Sequence, residues 1–259
     1  MNYTRELEIS KKAATLAGIA IMKIYGEENF KVDYKDDNSP LTEADKRANE
    51  IIVDILCNNF PDYAVLSEEN RDDKNRLGND YCFIVDPLDG TKEFIKRNGQ
   101  FTVNIALAYQ HKTVMGVIYV PVTKELYYAA EGYGSYYKAN GNNPEKLRVS
   151  ERTVQLRMVM SSSHSHPAEE KLIEKYDIKE FIKMGSSLKG CLIAKGDADI
   201  YYRFNPTMEW DTAAMQCIAE QAGAIFRQAD GTQMLYNREN SLNDKGFYII
   251  NCEENLYEI

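Results

Sequence analysis

The sequence predicts a mixed fold, α+β in its first part and α/β in its second, on three observations. Its first sixty residues carry two sets of apolar residues at helical intervals, residues 101–139 are a succession of Val-, Ile- and Tyr-rich runs, and the chain beyond about residue 150 alternates strand-like with helix-like segments. The change of pattern divides the chain into an N-terminal portion, 1–150, and a C-terminal portion, 151–259. With 259 residues, 44% hydrophobic and 27% charged, the chain can bury one large core or two smaller ones and is too apolar for disorder.

Leu7, Ala14, Ala17, Ala20, Ile21 and Ile24 recur on one face of a helix over 5–25, and Ala44, Ala48, Ile51, Ile52 and Ile55 repeat the pattern over 43–59. Between and after them, Lys31 to Pro40 and Ser67 to Asp80 are polar with little periodicity, which predicts two mobile loops. The apolar run before Asp86 reads as a core strand. Strands follow at 101–109, 113–120, 125–131 and 134–139, separated by Gly or Asn-Gly, so they form a meander. The second part reads as Met158–Ser161, a helix near 168–176, another near 187–195, Asp199–Phe204, a helix over 209–222, and strands near 224–227 and 247–251. No internal repeat or low-complexity segment is present.

A net charge of -9 disfavours partnership with DNA or RNA, whose phosphates attract basic surfaces. It leaves open a small phosphorylated substrate, because divalent ions reverse the local field. Five cysteines, at 57, 82, 191, 217 and 252, have no CxxC or His-linked spacing and are read as core thiols of a reducing compartment. The amino terminus lacks the basic and apolar regions of a signal peptide, and no apolar run approaches bilayer length. A cytoplasmic protein is expected; nothing encodes peripheral membrane contact or sets an oligomeric state.

Three acidic clusters stand out. Cys82-Phe-Ile-Val-Asp86-Pro-Leu-Asp89-Gly-Thr91 runs an apolar strand into two carboxylates three residues apart, and Pro87 and Gly90 force a turn. Carboxylates gathered without counter-charge repel, so such a pair implies a cation; a surface Asp-Pro turn is the alternative. Glu68 and Glu69 follow the apolar stretch Tyr63 to Leu66, and would otherwise be solvated loop charges. Asp211 in Trp210-Asp-Thr-Ala-Ala214 opens a helix, where an acid also serves as an ordinary cap.

Together and in this order, these motifs resemble those of the metal-dependent phosphatase superfamily of inositol monophosphatase and fructose bisphosphatase. The string from Asp86 to Leu107, with Asp37-Asn-Ser-Pro-Leu-Thr-Glu-Ala-Asp45 and Gly185-Ser-Ser-Leu-Lys189, is most similar to bacterial 3'(2'),5'-bisphosphate nucleotidases of the CysQ type, and the similarity runs from about residue 10 to about residue 250. The resemblance implies a layered α-β-α-β-α sandwich, two Mg²⁺ ions, a third near Glu68 and Glu69 as in some relatives, and lithium sensitivity. It implies that Glu68, Asp86 and the Leu88 carbonyl hold the first ion, and Asp86, Asp89 and Asp211 the second. Gly90 and Thr91 would meet phosphate oxygens, and Thr91 with Asp45 would orient the attacking water. Thr42-Glu-Ala-Asp45 also matches a helix capping box, which would account for Asp45 without catalysis.

Similarity further implies that Ser186 and Lys189, with Arg203 and His164 nearby, contact a second phosphate or the ribose. Each has a plainer reading: a solvated Lys189, an Arg203 snorkelling from its strand, a His164 capping the next helix. Gly190 stands where relatives often carry an aromatic and Met215 where glycine is frequent; the first leaves the nucleoside pocket's shape open, the second is expected to affect packing alone. The activity implied is Mg²⁺-dependent removal of the 3'-phosphate of adenosine 3',5'-bisphosphate, giving AMP and phosphate, with the sulfated form as a second candidate substrate and sulfur metabolism as the setting. An inositol or other sugar monophosphatase is the alternative enzyme. A divalent-ion-binding protein without turnover is a third reading, against which Thr91 and the lack of an EF-hand loop argue. The Lys31–Pro40 loop is expected to close over the loaded site.

Overall fold

The computed structural model describes residues 2–28, 32–34, 40–163 and 166–258. In chain order its elements are α1 (Thr4–Tyr25), β1 (Val32–Tyr34), β2 (Pro40–Thr42), α2 (Glu43–Asn59), β3 (Ala64–Ser67), β4 (Tyr81–Asp89), α3 (Thr91–Ile95), β5 (Thr102–Tyr109), β6 (Lys112–Val120), β7 (Glu125–Ala130), β8 (Gly134–Lys138), β9 (Glu145–Lys146), β10 (Arg157–Ser161), α4 (Pro167–Lys175), β11 (Glu180–Met184), α5 (Leu188–Lys195), β12 (Ile200–Arg203), β13 (Thr207–Met208), α6 (Glu209–Gln221), β14 (Ile225–Gln228), β15 (Leu242–Asn243) and β16 (Phe247–Ile250).

Two sheets carry the molecule. The larger has seven strands in sequential order, β3 to β9, with β3 and β4 parallel and the rest an antiparallel meander. The smaller has five in the order β11-β10-β12-β16-β14. Side chains alternate across a strand, so each sheet buries two faces. On β4 and β5, Phe83, Val85, Val103, Ile105 and Leu107 join the helices α1 and α2 in one core. Cys82, Ile84, Ala106 and Ala108 point the other way, into a second core with α5 and α6. That second core continues to Val159, Tyr201 and Ile249 of the smaller sheet, whose opposite face places Met158, Ile200, Tyr202 and Tyr248 against Leu172 of α4. The order of layers is therefore helices, sheet, helices, sheet, helix, as expected from the resemblance.

Burial on both faces explains why the strands read as nearly unbroken apolar runs rather than alternating ones. Small residues let α6 lie close on the large sheet: a Cβ built on Gly116 of β6 would come within 2.5 Å of the Ala214 carbonyl oxygen.

Three expectations are corrected. The Ser67 to Asp80 segment is not simply a mobile loop: it contains a 3₁₀ helix, Lys74–Gly78, tied down by buried Arg76. That guanidinium bonds Asp72 through Nε at 2.7 Å and Nη2 at 3.0 Å, Asn237 Oδ1 at 2.7 Å and the Arg238 carbonyl at 2.9 Å. Within Lys31–Pro40, Val32–Tyr34 pairs antiparallel with Pro40–Thr42, while residues 31 and 35–39 lie outside the described residues, as does the closure expected of them. Cys82, Cys191 and Cys217 are buried, but Cys57 is exposed on α2 and Cys252 is half-buried, so not all five thiols are core. Short α3 and the edge strand β11 were not predicted; among the described residues no helix is long and apolar enough to cross a membrane.

Candidate active site

In an ideal strand, residues three apart face opposite sides of the sheet. Asp86 pairs with Asn104 and Asp89 with Thr102, so three steps on β4 match two on β5, and the extra residue of this bulge turns both carboxylates to the same side. Asp211 joins them from the first turn of α6, and ligand oxygens of the three lie within 4.8 Å of one another. Asp86 Oδ1 accepts the Leu88 N–H at 3.0 Å, and Asp211 Oδ2 accepts the Met208 N–H at 2.6 Å. Asp211 is thus a helix cap as well as a member of the cluster.

Burial, then the charges of Glu68, Asp89 and Asp211 and a side-chain hydrogen bond with Glu68, push the Asp86 carboxyl well above its usual range. Burial and neighbouring Asp89 raise Asp211 to about 7. A buried carboxylate crowded by two half-buried ones is costly without a cation among them, and an all-oxygen donor set suits a hard divalent ion such as Mg²⁺. Glu69 lies outside the three-carboxylate cluster; its charge is felt by Asp45.

The remaining geometry orients these acids. Asp89 Oδ2 accepts the Ser187 N–H and Oγ–H, each at 2.6 Å, and Asn104 Nδ2 at 3.2 Å; Asn104 also donates to Ser187 Oγ at 2.8 Å. Asp45 divides its carboxylate: Oδ2 accepts the Thr42 N–H at 2.7 Å and hydroxyl at 2.5 Å, completing a capping box, while Oδ1 lies 3.1 Å from Thr91 Oγ1. The capping and catalytic readings of Asp45 are therefore compatible. Burial, opposed by the Thr42 and Thr91 hydrogen bonds, lifts its carboxyl to about 6. Thr91 Oγ1 is also 3.3 Å from the Leu88 carbonyl, and Gly90 reaches this turn with φ of +94°, a conformation open to glycine.

A cavity of about 270 Å³ opens from this cluster. Glu68, Asp89, Thr91 and Asp211 line it, and so do Lys189 of α5 and Arg203 of β12. Lys189 donates to the Ser186 carbonyl at 2.5 Å and lies 5.7 Å from the Tyr201 ring; burial brings its ammonium down to about 8. Ser186 Oγ and Arg203 Nε are buried with no hydrogen-bond partner among the described residues. His164 lies outside the described residues.

Sequence reasoning missed Ser187, whose neighbour Ser186 it chose within the same Gly-Ser-Ser-Leu-Lys string, and Asn104, whose role exists only through strand pairing. Met215 also departs from expectation. It lines the cavity, and a Cβ on Gly190 would lie 2.1 Å from Met215 Cγ, so the methionine occupies the space above that glycine and the two departures compensate each other.

Comparison with known proteins gives a consistent picture. A model described as the inositol monophosphatase family matches residues 2–254. The 3'(2'),5'-bisphosphate nucleotidase CysQ of Salmonella typhimurium is 42% identical over 245 residues, 94% of this chain and 98% of that protein. The crystal structure of CysQ from Bacteroides thetaiotaomicron superposes with a TM-score of 0.85 at 44% identity, covering 97% of this chain and 99% of the other. The Thermotoga maritima IMPase gives 0.79 at 27% identity, over 96% and 92% of the two chains.

Proposed function

The chain belongs to the inositol monophosphatase family, and from that premise we propose that it is a Mg²⁺-dependent phosphatase removing the 3'-phosphate of adenosine 3',5'-bisphosphate to give AMP and phosphate. The observation that supports the substrate is the mixed lining of one cavity: clustered carboxylates together with buried Lys189 and Arg203, whose Nε has no hydrogen-bond partner among the described residues. A substrate with two phosphates offers one to ions held by the carboxylates and the other to these cations. A sugar monophosphate would leave Lys189 and Arg203 without a phosphate to bind, a loss of the kind that makes missing partners discriminating.

Glu68, Asp86, Asp89, Asp211 and the Leu88 carbonyl would hold two Mg²⁺ ions, with Glu69 available to a third. The ions supply neutralisation of phosphoryl charge, acidification of a water and stabilisation of the departing alkoxide. Thr91 donates its hydroxyl proton toward Asp45, which leaves the oxygen lone pairs to accept from the attacking water and hold it in line. Gly90 and Thr91 N–H groups receive phosphate oxygens, while Lys189, Arg203 and Ser186 Oγ fix the 5'-phosphate. Ser187 and Asn104 keep Asp89 from turning away. His164 would add a contact to the same phosphate. The sulfated nucleotide presents the same 3'-phosphate and is a second substrate on this reading, with sulfur metabolism as the proposed setting and the cytoplasm as the proposed compartment.

Phosphate release from adenosine 3',5'-bisphosphate and from inositol monophosphate, measured in parallel with purified protein and Mg²⁺, tests the assignment. A clear preference for the bisphosphate is expected. A preference for the inositol ester rejects it in favour of a sugar phosphatase.

A further inference from the structure

One acid of the cavity has no part in the chemistry so far. Glu93, on α3 two residues beyond Thr91, is 5% exposed yet lines the cavity between the turn at Gly90 and the Gly185 loop. Its surroundings hold it there. Oε1 accepts the hydroxyl of Ser163, whose oxygen in turn accepts Lys96 Nζ at 3.3 Å. The Gly185 N–H is bound by Gln100 Oε1 at 2.9 Å, and a Cβ at Gly185 would lie 2.9 Å from Glu93 Cγ, so the loop presses on the stem of the acid and glycine is required for it to do so. The second oxygen, Oε2, faces Gly90, where a Cβ would lie 3.4 Å from it, and no described residue donates a hydrogen bond to it.

A fixed carboxylate beside a phosphate site repels a further anion and attracts a neutral donor. Resting on the phosphatase reading above, we propose that Glu93 is a specificity-determining residue: its Oε2 accepts a hydrogen bond from the hydroxyl vicinal to the scissile phosphate ester, the ribose 2'-OH in a 3'-phosphate. The arrangement selects esters of vicinal diols. A hydroxyl bonded to a buried carboxylate is among the stronger neutral-to-charged contacts, and a site built for a hydroxyl discriminates against the analogue that lacks it.

The test compares kcat/KM for adenosine 3',5'-bisphosphate and 2'-deoxyadenosine 3',5'-bisphosphate in the wild type, Glu93→Ala and Glu93→Gln, with Mg²⁺ saturating. The wild type should favour the ribonucleotide by roughly tenfold or more, as for charge-assisted hydrogen bonds. That ratio should fall to near one in Glu93→Ala and by several-fold in Glu93→Gln, which keeps the shape and decides the matter if the alanine variant loses both activities. A residue that only braced the loop would lower both rates together and leave the ratio unchanged, and that result overturns the proposal. Release of phosphate from neither nucleotide by the wild type would instead reject the nucleotidase reading on which it rests.

Discussion

Asp89 illustrates how much one residue is asked to do. It belongs to the three-carboxylate cluster while its Oδ2 is locked by Ser187 and Asn104. Asp89→Asn keeps the shape but replaces an anionic ligand by a neutral amide, and kcat should fall by about a hundredfold or more at saturating Mg²⁺, the loss expected where a ligand acts in charge stabilisation. A phosphate-release rate near wild type would exclude this residue from the metal centre. Lys189 carries a pH dependence: burial lowers its ammonium to about 8, so it is cationic below that value and loses its charge above it. KM for the bisphosphate should rise above about pH 8 while KM for a nucleoside 3'-monophosphate stays flat; parallel profiles would remove Lys189 from the second-phosphate subsite. The acids themselves were legible in the sequence because their motifs are local, Asp86 to Thr91 within one turn. Ser187, Asn104 and Glu93 were not, because each acquires meaning from a partner across the fold: Ser187 on Asp89, Asn104 through β4–β5 pairing, Glu93 against Gly185.

At the scale of elements, α6 determines where Asp211 stands. It touches both sheets and lies so close on β6 that only glycine fits at 116, the Cβ of any other residue meeting Ala214 backbone atoms at 2.5 and 3.0 Å. Backbone cannot rotate aside as a side chain can, so Gly116→Ala must displace the helix. A loss of about 1–3 kcal/mol in urea unfolding is expected for overpacking, together with a higher Mg²⁺ concentration for half-maximal activity. Unchanged Mg²⁺ dependence would mean that Asp211 does not depend on this contact. Long elements with strong periodicity, such as α1, α2 and the meander β5–β8, were legible. The edge strand β11 was not, since its residues are largely exposed and carry no alternation, and five-residue α3 is too short to show a period. The 3₁₀ helix at Lys74–Gly78 was hidden in a hydrophilic stretch because its anchor is a buried arginine, which composition counts as solvated.

For the whole molecule, the cluster joins distant parts of the chain. Asp86 and Asp89 end a strand of the larger sheet, whereas Asp211 opens the helix that lies between the two sheets. An ion bound by all three binds the native state and not the unfolded chain, so Mg²⁺ at a hundred times its Kd should add about 2.7 kcal/mol. For a chain of 259 residues this corresponds to a rise in Tm of roughly 5–10 °C over the chelated protein. A melting temperature indifferent to EDTA and Mg²⁺ would argue against a shared ion.

The large sheet is complete by residue 146, yet the helix that covers its second face spans Glu209–Gln221. During synthesis some sixty residues must therefore leave the ribosome while Cys82, Ile84, Ala106 and Ile118 remain wetted on an uncapped surface. The nascent first half is a sticky intermediate by construction, and its safe passage to the finished enzyme depends on how quickly the tail arrives or on a chaperone that shields it meanwhile.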